Sequence, residues 1–415
     1  MASAAPAAAD VVVIGSGYTG LNAALETARA GRHTVVLEAG DAGGGCSTRN
    51  GGQISTSVKP EVEALARRHG QARAEAVRQA GLDALDWIET LVAREGLDCD
   101  FAKTGRFHAA HTPAAYEALA RSAEAGPKCG AVEAAAVPRA EIRSELGTDL
   151  YFGGVVYARH AALHPAKYHR GLLERVLAAG AEVVPHTAAL AIERDGRAFR
   201  VATPSGEIRA RDVVVATNGY TSALTPWLRR RVIPIGSYII ATEPLEPALM
   251  DRLFPTGRVT SDTRKVVYYF RASPDRRRVV FGGRVAAAET DPRASAPLLH
   301  AELTRIFPEL AGTKVSHSWL GFVAYTFDEI AHTGCHEGIH YAMGYCGSGV
   351  SMASFLGMRM GQKVLGLKEG RTPFDDLPFP TRPLYHGRPW FLPAAVAFYR
   401  WRDARELRRA HAAHG

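Results

Sequence analysis

The chain has 415 residues, 47% of them hydrophobic and 22% charged, enough to bury a large core and to divide into two or three domains. A net charge of +8 and an isoelectric point near 9.3 raise nucleic acid or acidic membranes as partners, but the basic residues are dispersed. Only Arg229 to Arg231, Arg276 to Arg278 and the C-terminal arginines cluster; these read as solvated surface, and no nucleic-acid partner is expected.

The opening MASAAPAAAD has no basic segment and only a short alanine tract, so it reads as neither secretory signal nor membrane span, and a cytoplasmic enzyme is expected. Residues 11–14 (VVVI) are a β-branched run that reads as a buried strand. Gly15, Gly17 and Gly20 follow as G-x-G-x-x-G, with Tyr18 and Thr19 inside the motif, and an alanine-rich helix comes next. That order suits a dinucleotide pyrophosphate. Gly15 permits the turn, Gly17 lets the backbone approach, Gly20 lets helix and strand pack closely, and the helix N-terminus offers N–H groups and positive dipole charge. A second strand, residues 34–37, ends at Glu38, whose carboxylate can accept both hydroxyls of an adenosine ribose and would repel a 2′-phosphate. Ala39 follows, and residues 40–52 form a Gly-rich loop that runs through Arg49, Asn50, Gly51 and Gly52 to Gln53.

Good helix formers fill residues 60–96, with Ala76, Ala80, Ala84, Trp87, Ile88 and Leu91 at a helical period. Residues 101–110 read as a short strand pair around Thr104-Gly105, residues 113–125 and 165–179 as helices, and residues 182–184 as a strand. A further buried strand, residues 213–216, runs directly into Thr217, Asn218 and Gly219. Polar groups thus emerge at a strand's carboxyl end, where doubly wound sheets bind ligands. Residues 232–285 are β-rich, with a turn at Ser273-Pro274-Asp275, and predict an inserted sheet domain. Residues 344–366 return to a Gly-rich turn opening a helix. Residues 390–399 (WFLPAAVAFY) are apolar but shorter than the ~20 residues of a span. With the arginines behind them they could rest on an anionic membrane or pack on the protein itself, and packing is the preferred reading.

The cysteines at 46, 99, 129, 335 and 346 are odd in number and lack C-x-x-C spacing, as reduced thiols would be. His332, His336 and His340 straddle Gly334 and Gly338 rather than lying along a helix, so no metal site is expected.

Taken together, the N-terminal fingerprint, RNGGQ, ATNGY and GYCGSGV resemble the D-amino-acid-oxidase-like FAD-dependent oxidoreductases, closest to the gamma-glutamylputrescine oxidase branch. The agreement includes LHPAKYHRGL, YFRASPDRRRVVFGGR and WLGFVAYTFDEIAHTG. The resemblance implies an α/β fold in which a FAD-binding Rossmann-like domain (1–95, 148–226, 325–369) interleaves with a mixed β-sheet substrate domain (96–147, 227–324), before a C-terminal extension (370–415). It places Gly15, Gly17 and Gly20 at the pyrophosphate, Glu38 at the ribose, Arg49 to Gln53 along the flavin ring, and Ala189 near the adenine. Thr217, Asn218 and Gly219 would close the far side, and the turn through Gly344, Gly347, Ser348, Gly349 and Val350 would aim N–H groups at the pyrimidine edge. Where relatives tether flavin through Cys or His, this chain has Phe322, Val323 and Ala324 before Tyr325-Thr326, and Asn50, so FAD is expected to be non-covalent.

The implied reaction oxidises a C–N bond of an amine or amino acid, gamma-glutamylputrescine-like or N-substituted, to an imine that hydrolyses to an aldehyde or oxo acid, with O2 or another acceptor taking the electrons. Tyr269 and Arg271 share a strand face, so Arg271 could clamp a substrate carboxylate, or the pair could be a surface Arg and a packing Tyr. Arg284 stands where relatives keep a Lys that promotes reaction with oxygen, which leaves oxidase and dehydrogenase both open. His317 could border the flavin or be structural. Other readings are an NAD-dependent dehydrogenase, a tRNA-modifying flavoenzyme, and a membrane-associated dehydrogenase passing electrons to quinone.

Overall fold

Strand Ala8–Ile14 lies between Gly206–Val215 and Thr34–Leu37, parallel to both. In the computed structural model, residues 5–125, 134–286 and 288–414 are described. The first sheet runs His332–His336, Ile339–Met343, Gly206–Val215, Ala8–Ile14, Thr34–Leu37, Glu182–Val184, and Gly206–Val215 also pairs with Ala198–Thr203, which carries Ala191–Asp195. Alternation decides what each face meets. Val11 and Val13 pack with Leu21 and Leu25 of helix Tyr18–Arg29, whereas Val12 and Ile14 join Val35, Leu37 and Phe199. A sheet apolar on both faces is the parallel type, and each of these buried side chains contributes about 1.5–3 kcal/mol of transfer free energy.

Helix Tyr18–Arg29 is crossed by helix Gly349–Val364 at backbone contact. A Cβ on Gly357 would sit 2.4 Å from the Thr19 carbonyl oxygen, and one on Gly361 2.8 Å from that of Ala23. The far C-terminal motif is thereby pressed against the N-terminal one, and Thr19 Oγ1 and the Tyr345 hydroxyl share a buried 2.6 Å hydrogen bond.

The second sheet has the order Val315–Thr326, Val232–Thr242, Val279–Gly283, Tyr269–Ala272, Val259–Asp262, Arg106–Ala109, Gly153–Tyr157, Ala134–Pro138. One face, with Tyr238, Ile240, Tyr268, Phe270 and Phe281, packs on helix Pro292–Ile306. The other turns toward the residue 46–53 loop, which forms a one-turn helix, Cys46–Arg49, and then strand Gln53–Ile54 paired with Ala161–Ala162.

Several expectations are corrected. Gly153–Tyr157 lies in the stretch assigned to the cofactor domain, yet it is hydrogen-bonded between Arg106–Ala109 and Ala134–Pro138 of the second sheet. Residues 101–110 form no strand pair: Gly105 turns at φ +75° and only Arg106–Ala109 is strand, because its partners come from distant segments. Residues 60–96 divide at Gly70 into Val62–His69 and Gln71–Glu95.

Helix Leu392–His414 packs on the second sheet along one face, while Trp390, Phe398, Tyr399 and Trp401 are exposed. Lys265 and Val266 N–H groups donate to the Asp403 carboxylate, and Val396 and Ala410 are buried. No helix among the described residues is long and apolar enough to cross a membrane. The arginine runs are divided among local partners: Arg231 lies over Trp227, Arg276 pairs with Asp251, and Arg278 donates to the Thr242 carbonyl. His332 pairs with Asp328, His336 stacks on Trp227, and His340 faces Cys335 across a strand pair. Cys46, Cys99, Cys335 and Cys346 are free thiols; Cys129 and Met1 to Ala4 lie outside the described residues.

Candidate functional site

The motifs separated in sequence converge at the carboxyl ends of Ala8–Ile14 and Gly206–Val215. Gly15 has φ +106°, and a Cβ there would lie 3.0 Å from the Ala216 carbonyl oxygen; one on Gly20 would lie 1.9 Å from that of Gly15. Both positions are therefore closed to larger residues. Ser47 Oγ is 2.9 Å from where a Gly17 Cβ would stand and accepts the Tyr18 N–H at 3.1 Å. Tyr18 itself is buried and donates to the Pro165 carbonyl, so its role is packing and loop support.

Glu38 lies just past strand Thr34–Leu37, where Oε2 accepts the Ser16 N–H at 3.0 Å and the Ser16 hydroxyl at 2.8 Å, and Oε1 accepts the Gly40 N–H at 3.1 Å. A carboxylate has about four acceptor sites, which leaves capacity for a ribose hydroxyl. Ala39 is exposed beside it, and Ala189 is half-buried against the sheet core.

Asn50 organises its own loop, accepting the Gly52 N–H at 2.8 Å and donating to the Cys46 and Ser47 carbonyls. Arg49 is exposed; its carbonyl accepts Trp319 Nε1–H at 2.9 Å, which fixes the loop to the second sheet. Gly51 lies beneath Tyr269, whose ring would be 3.0 Å from a Cβ there. Gln53 turns away from the other loop residues and donates to the Thr260 and Phe270 carbonyls.

On the opposite side, Thr217 shares a 2.8 Å hydroxyl bond with Thr221, and Asn218, at φ +42°, accepts the Gly344 N–H at 2.9 Å. Gly219 approaches the Phe322 carbonyl so closely that a Cβ would be 2.6 Å from it. Gly344 and Gly347 both have positive φ, and Ser348 Oγ donates to the Ser57 carbonyl at 2.6 Å. Gly349 and Val350 begin the following helix.

Two helix N-termini open here whose own N-cap residue supplies no side-chain cap and whose first turn holds no acidic residue: Gly17 before Tyr18–Arg29, where Ser47 takes only the Tyr18 N–H, and Ser348 before Gly349–Val364. Positively polarised ends with N–H groups left over, beside glycines that admit close backbone approach, suit an extended, phosphate-bearing dinucleotide. Ser16 and Ser47 were missed from sequence; hydroxyls interspersed in a Gly-rich turn before a helix are the signal that could have found them.

The second sheet supplies charge. Arg271 is 6% exposed, and its protein acceptor among the described residues is the Gly52 carbonyl oxygen, at 3.4 Å. Burial pulls this guanidinium down to about 10, with the Asp100 carboxylate acting in the opposite direction. Tyr269, on the same face, bonds Ser237 Oγ at 2.6 Å, and burial raises its hydroxyl pKa. Arg284 pairs with Glu289 at 2.7 Å and donates to the Gly236 carbonyl at 3.0 Å. His317 is exposed and bonds Ser316 Oγ at 2.9 Å. Three strand steps separate it from Arg271, through Val280 and Ala241, or about 14 Å, so the two do not meet on one small group.

Known proteins share this chain's sequence and fold. Residues 10–363 match the family model described as DAO, FAD dependent oxidoreductase. The chain is 30% identical over 399 residues to gamma-glutamylputrescine oxidoreductase of Escherichia coli, covering 95% of this chain and 92% of that protein. It is 32% identical to a probable oxidoreductase OrdL of Rhizobium meliloti over 86% of this chain and 83% of the other. Glycine oxidase from Geobacillus kaustophilus has the same fold, with TM-score 0.76 at 18% identity over 91% of this chain and 99% of its own. The chain belongs to the DAO family of FAD-dependent oxidoreductases.

Proposed function

We propose that this enzyme oxidises the C–N bond of a small amine that carries a carboxylate, an amino acid or N-substituted amino acid such as gamma-glutamylputrescine. The observation that carries this reading is Arg271: a buried cation with one long hydrogen bond, on the sheet face that meets the residue 49–53 loop. A guanidinium left so poorly paired in a low-dielectric setting favours an anion that can take two of its N–H groups. Bound FAD supplies the two-electron acceptor.

The residues assigned to hold the cofactor are Gly15, Gly17 and Gly20 with the helix end at Tyr18 and Thr19, Glu38 with Ala39, Arg49 to Gly52, Ala189, Thr217 to Gly219, and Gly344 to Val350. Gln53 braces the loop from behind. The substrate carboxylate would lie on Arg271, with Tyr269 bordering the amine and Trp319 and the second sheet excluding water. No strong base is required, because the amine need only bind uncharged. Loss of hydride and amine proton leaves an imine, and water then adds to give the aldehyde or oxo acid and a smaller amine.

Non-covalent attachment is part of the proposal. Cys46 and Cys346 stand beside the cradle, but burial pushes their thiols up to about 12 and about 11, which suppresses the nucleophilic thiolate. The Arg284–Glu289 pair compensates the charge that would assist reaction with oxygen, so an acceptor other than O2 is favoured.

Anaerobic addition of gamma-glutamylputrescine, N-methyl amino acids, pipecolate and D-amino acids should bleach the oxidised flavin with at least one of them. If all fail, the amine assignment is wrong. Acid precipitation should release the flavin into the supernatant.

A further inference from the structure

Away from the cradle, the C-terminal helix meets the second sheet at three groups that no part of the oxidation uses. His111 follows strand Arg106–Ala109, and Asp403 and Glu406 lie three apart on helix Leu392–His414, hence on one helix face. Their potential ligand atoms all fall within 4.8 Å of one another. His111 is 4% exposed and Asp403 7%. The His111 Nε2 atom is buried without a hydrogen-bond partner, 3.6 Å from Glu406 Oε2.

The ring is held in place for this purpose. Its Nδ1 shares a 2.7 Å hydrogen bond with the Thr263 hydroxyl, and Thr263 Oγ1 accepts the His111 backbone N–H at 3.0 Å. With the proton on Nδ1, Nε2 directs its lone pair at the two carboxylates and can take a cation between them; with the proton on Nε2, the N–H would meet Glu406 Oε2 only at 3.6 Å, beyond hydrogen-bond length. Asp403 Oδ1 and Oδ2 each accept one backbone N–H at 3.1 Å, from Lys265 and Val266, and each keeps a second lone pair. Of the neighbouring cations, Arg264 pairs with Asp262, and Arg402 takes one oxygen of Glu406, Oε1, at 3.2 Å, which leaves Oε2 turned toward His111. The long approach to Glu406 does not satisfy the buried ring nitrogen, and leaving such a polar atom without a hydrogen bond costs about 1–3 kcal/mol.

We propose that His111, Asp403 and Glu406 bind a divalent transition-metal ion of the Zn2+ class, which fastens the C-terminal helix to the second sheet. One imidazole and two carboxylates suit such an ion, with water in the remaining position. Because Asp403 and Glu406 both belong to the helix and His111 to the sheet layer, the ion joins elements 292 residues apart in sequence, counting from His111 to Asp403.

The test uses the flavin-loaded protein, stripped with EDTA and equilibrated by dialysis against Zn2+. One Zn2+ per chain is expected, together with slower amide exchange along residues 392–410. His111→Gln and Glu406→Gln should each weaken binding about a hundredfold or more, since loss even of a group supporting a ligand costs about 10- to 100-fold. Glu406 is half-buried and glutamine is its isostere, so an unchanged flavin spectrum in that variant separates loss of the site from loss of the fold. Failure of the wild-type protein to retain Zn2+, or equal binding by both variants, would overturn the proposal.

Discussion

The two sheets bring opposite means to the proposed active site. At the ends of the first, the chain contributes glycines, hydroxyls and helix N-termini, so recognition there depends on how closely backbone can approach. The second presents Arg106, His108, Tyr269 and Arg271 on its inward face, so what it offers is charge and hydrogen-bonding capacity in a buried setting. The first region should fail when volume is added and the second when charge is altered.

The largest effect is expected at Gly20. A Cβ there would stand 1.9 Å from the Gly15 carbonyl oxygen, so Gly20→Ala should cost about 3 kcal/mol and yield protein without flavin, read from absorbance and thermal melting. A flavin-loaded, stable Gly20→Ala protein would break the backbone-approach half of the contrast.

Acid should strike the second region next. Burial holds His108 down to about 3 and His160 to about 2, against 6.5 ordinarily. The unfolded chain therefore takes up their protons first, and stability is lost as pH falls from about 6.5 toward 3. At about pH 5 the loss is roughly 2 kcal/mol for each, and His108→Gln should remove its share from the pH dependence of the melting temperature.

A smaller effect lies on the outer helices. Glu95, paired with Arg29 at 2.6 Å and Arg94 at 2.8 Å, is held at about 2, chiefly by its hydrogen bond to Arg29. Its contribution is present above about 4.5 and fades as pH falls toward 2. Because Arg29 is well exposed, Glu95→Gln should cost only about 1 kcal/mol at neutral pH by denaturant titration.

Arg271→Met should change stability least, by less than about 1 kcal/mol, because a buried guanidinium with one long hydrogen bond gains little that an apolar side chain would lose. A large drop in melting temperature would make Arg271 a structural residue and remove the contrast.

The same division governs what was legible in the sequence. Gly15, Gly17, Gly20 and Glu38 follow one another within a single strand–helix–strand unit, so local order was enough to single them out as candidates, and the family's motifs added Asn218 and Gly344, which the structure brings into contact. Tyr269 and Arg271 were assigned to one face from alternation alone, and they share it with their neighbours buried opposite. Long-range pairing was the blind spot. Nothing near Gly153–Tyr157 says that its partners are Arg106–Ala109 and Ala134–Pro138, and Gly105 resembles a hairpin turn until Val259–Asp262 takes the neighbouring place. Gln53 ends the loop whose preceding members are proposed to line the cradle, and its amide is drawn to the Thr260 and Phe270 carbonyls, which lie far away in sequence. The His111, Asp403 and Glu406 cluster has no spacing to read, because its members meet only when the last helix docks.

The most direct measurement is anaerobic titration of the oxidised flavin in wild-type and Arg271→Met protein, with paired amines that differ only in a carboxylate. Wild type should bleach with the carboxylate-bearing amine at an affinity about a hundredfold above that of Arg271→Met, a difference of about 2.7 kcal/mol, while the uncharged amine should bind both proteins alike. Equal affinity of the two proteins for the carboxylate-bearing amine would contradict the assignment of Arg271 and the substrate class that rests on it.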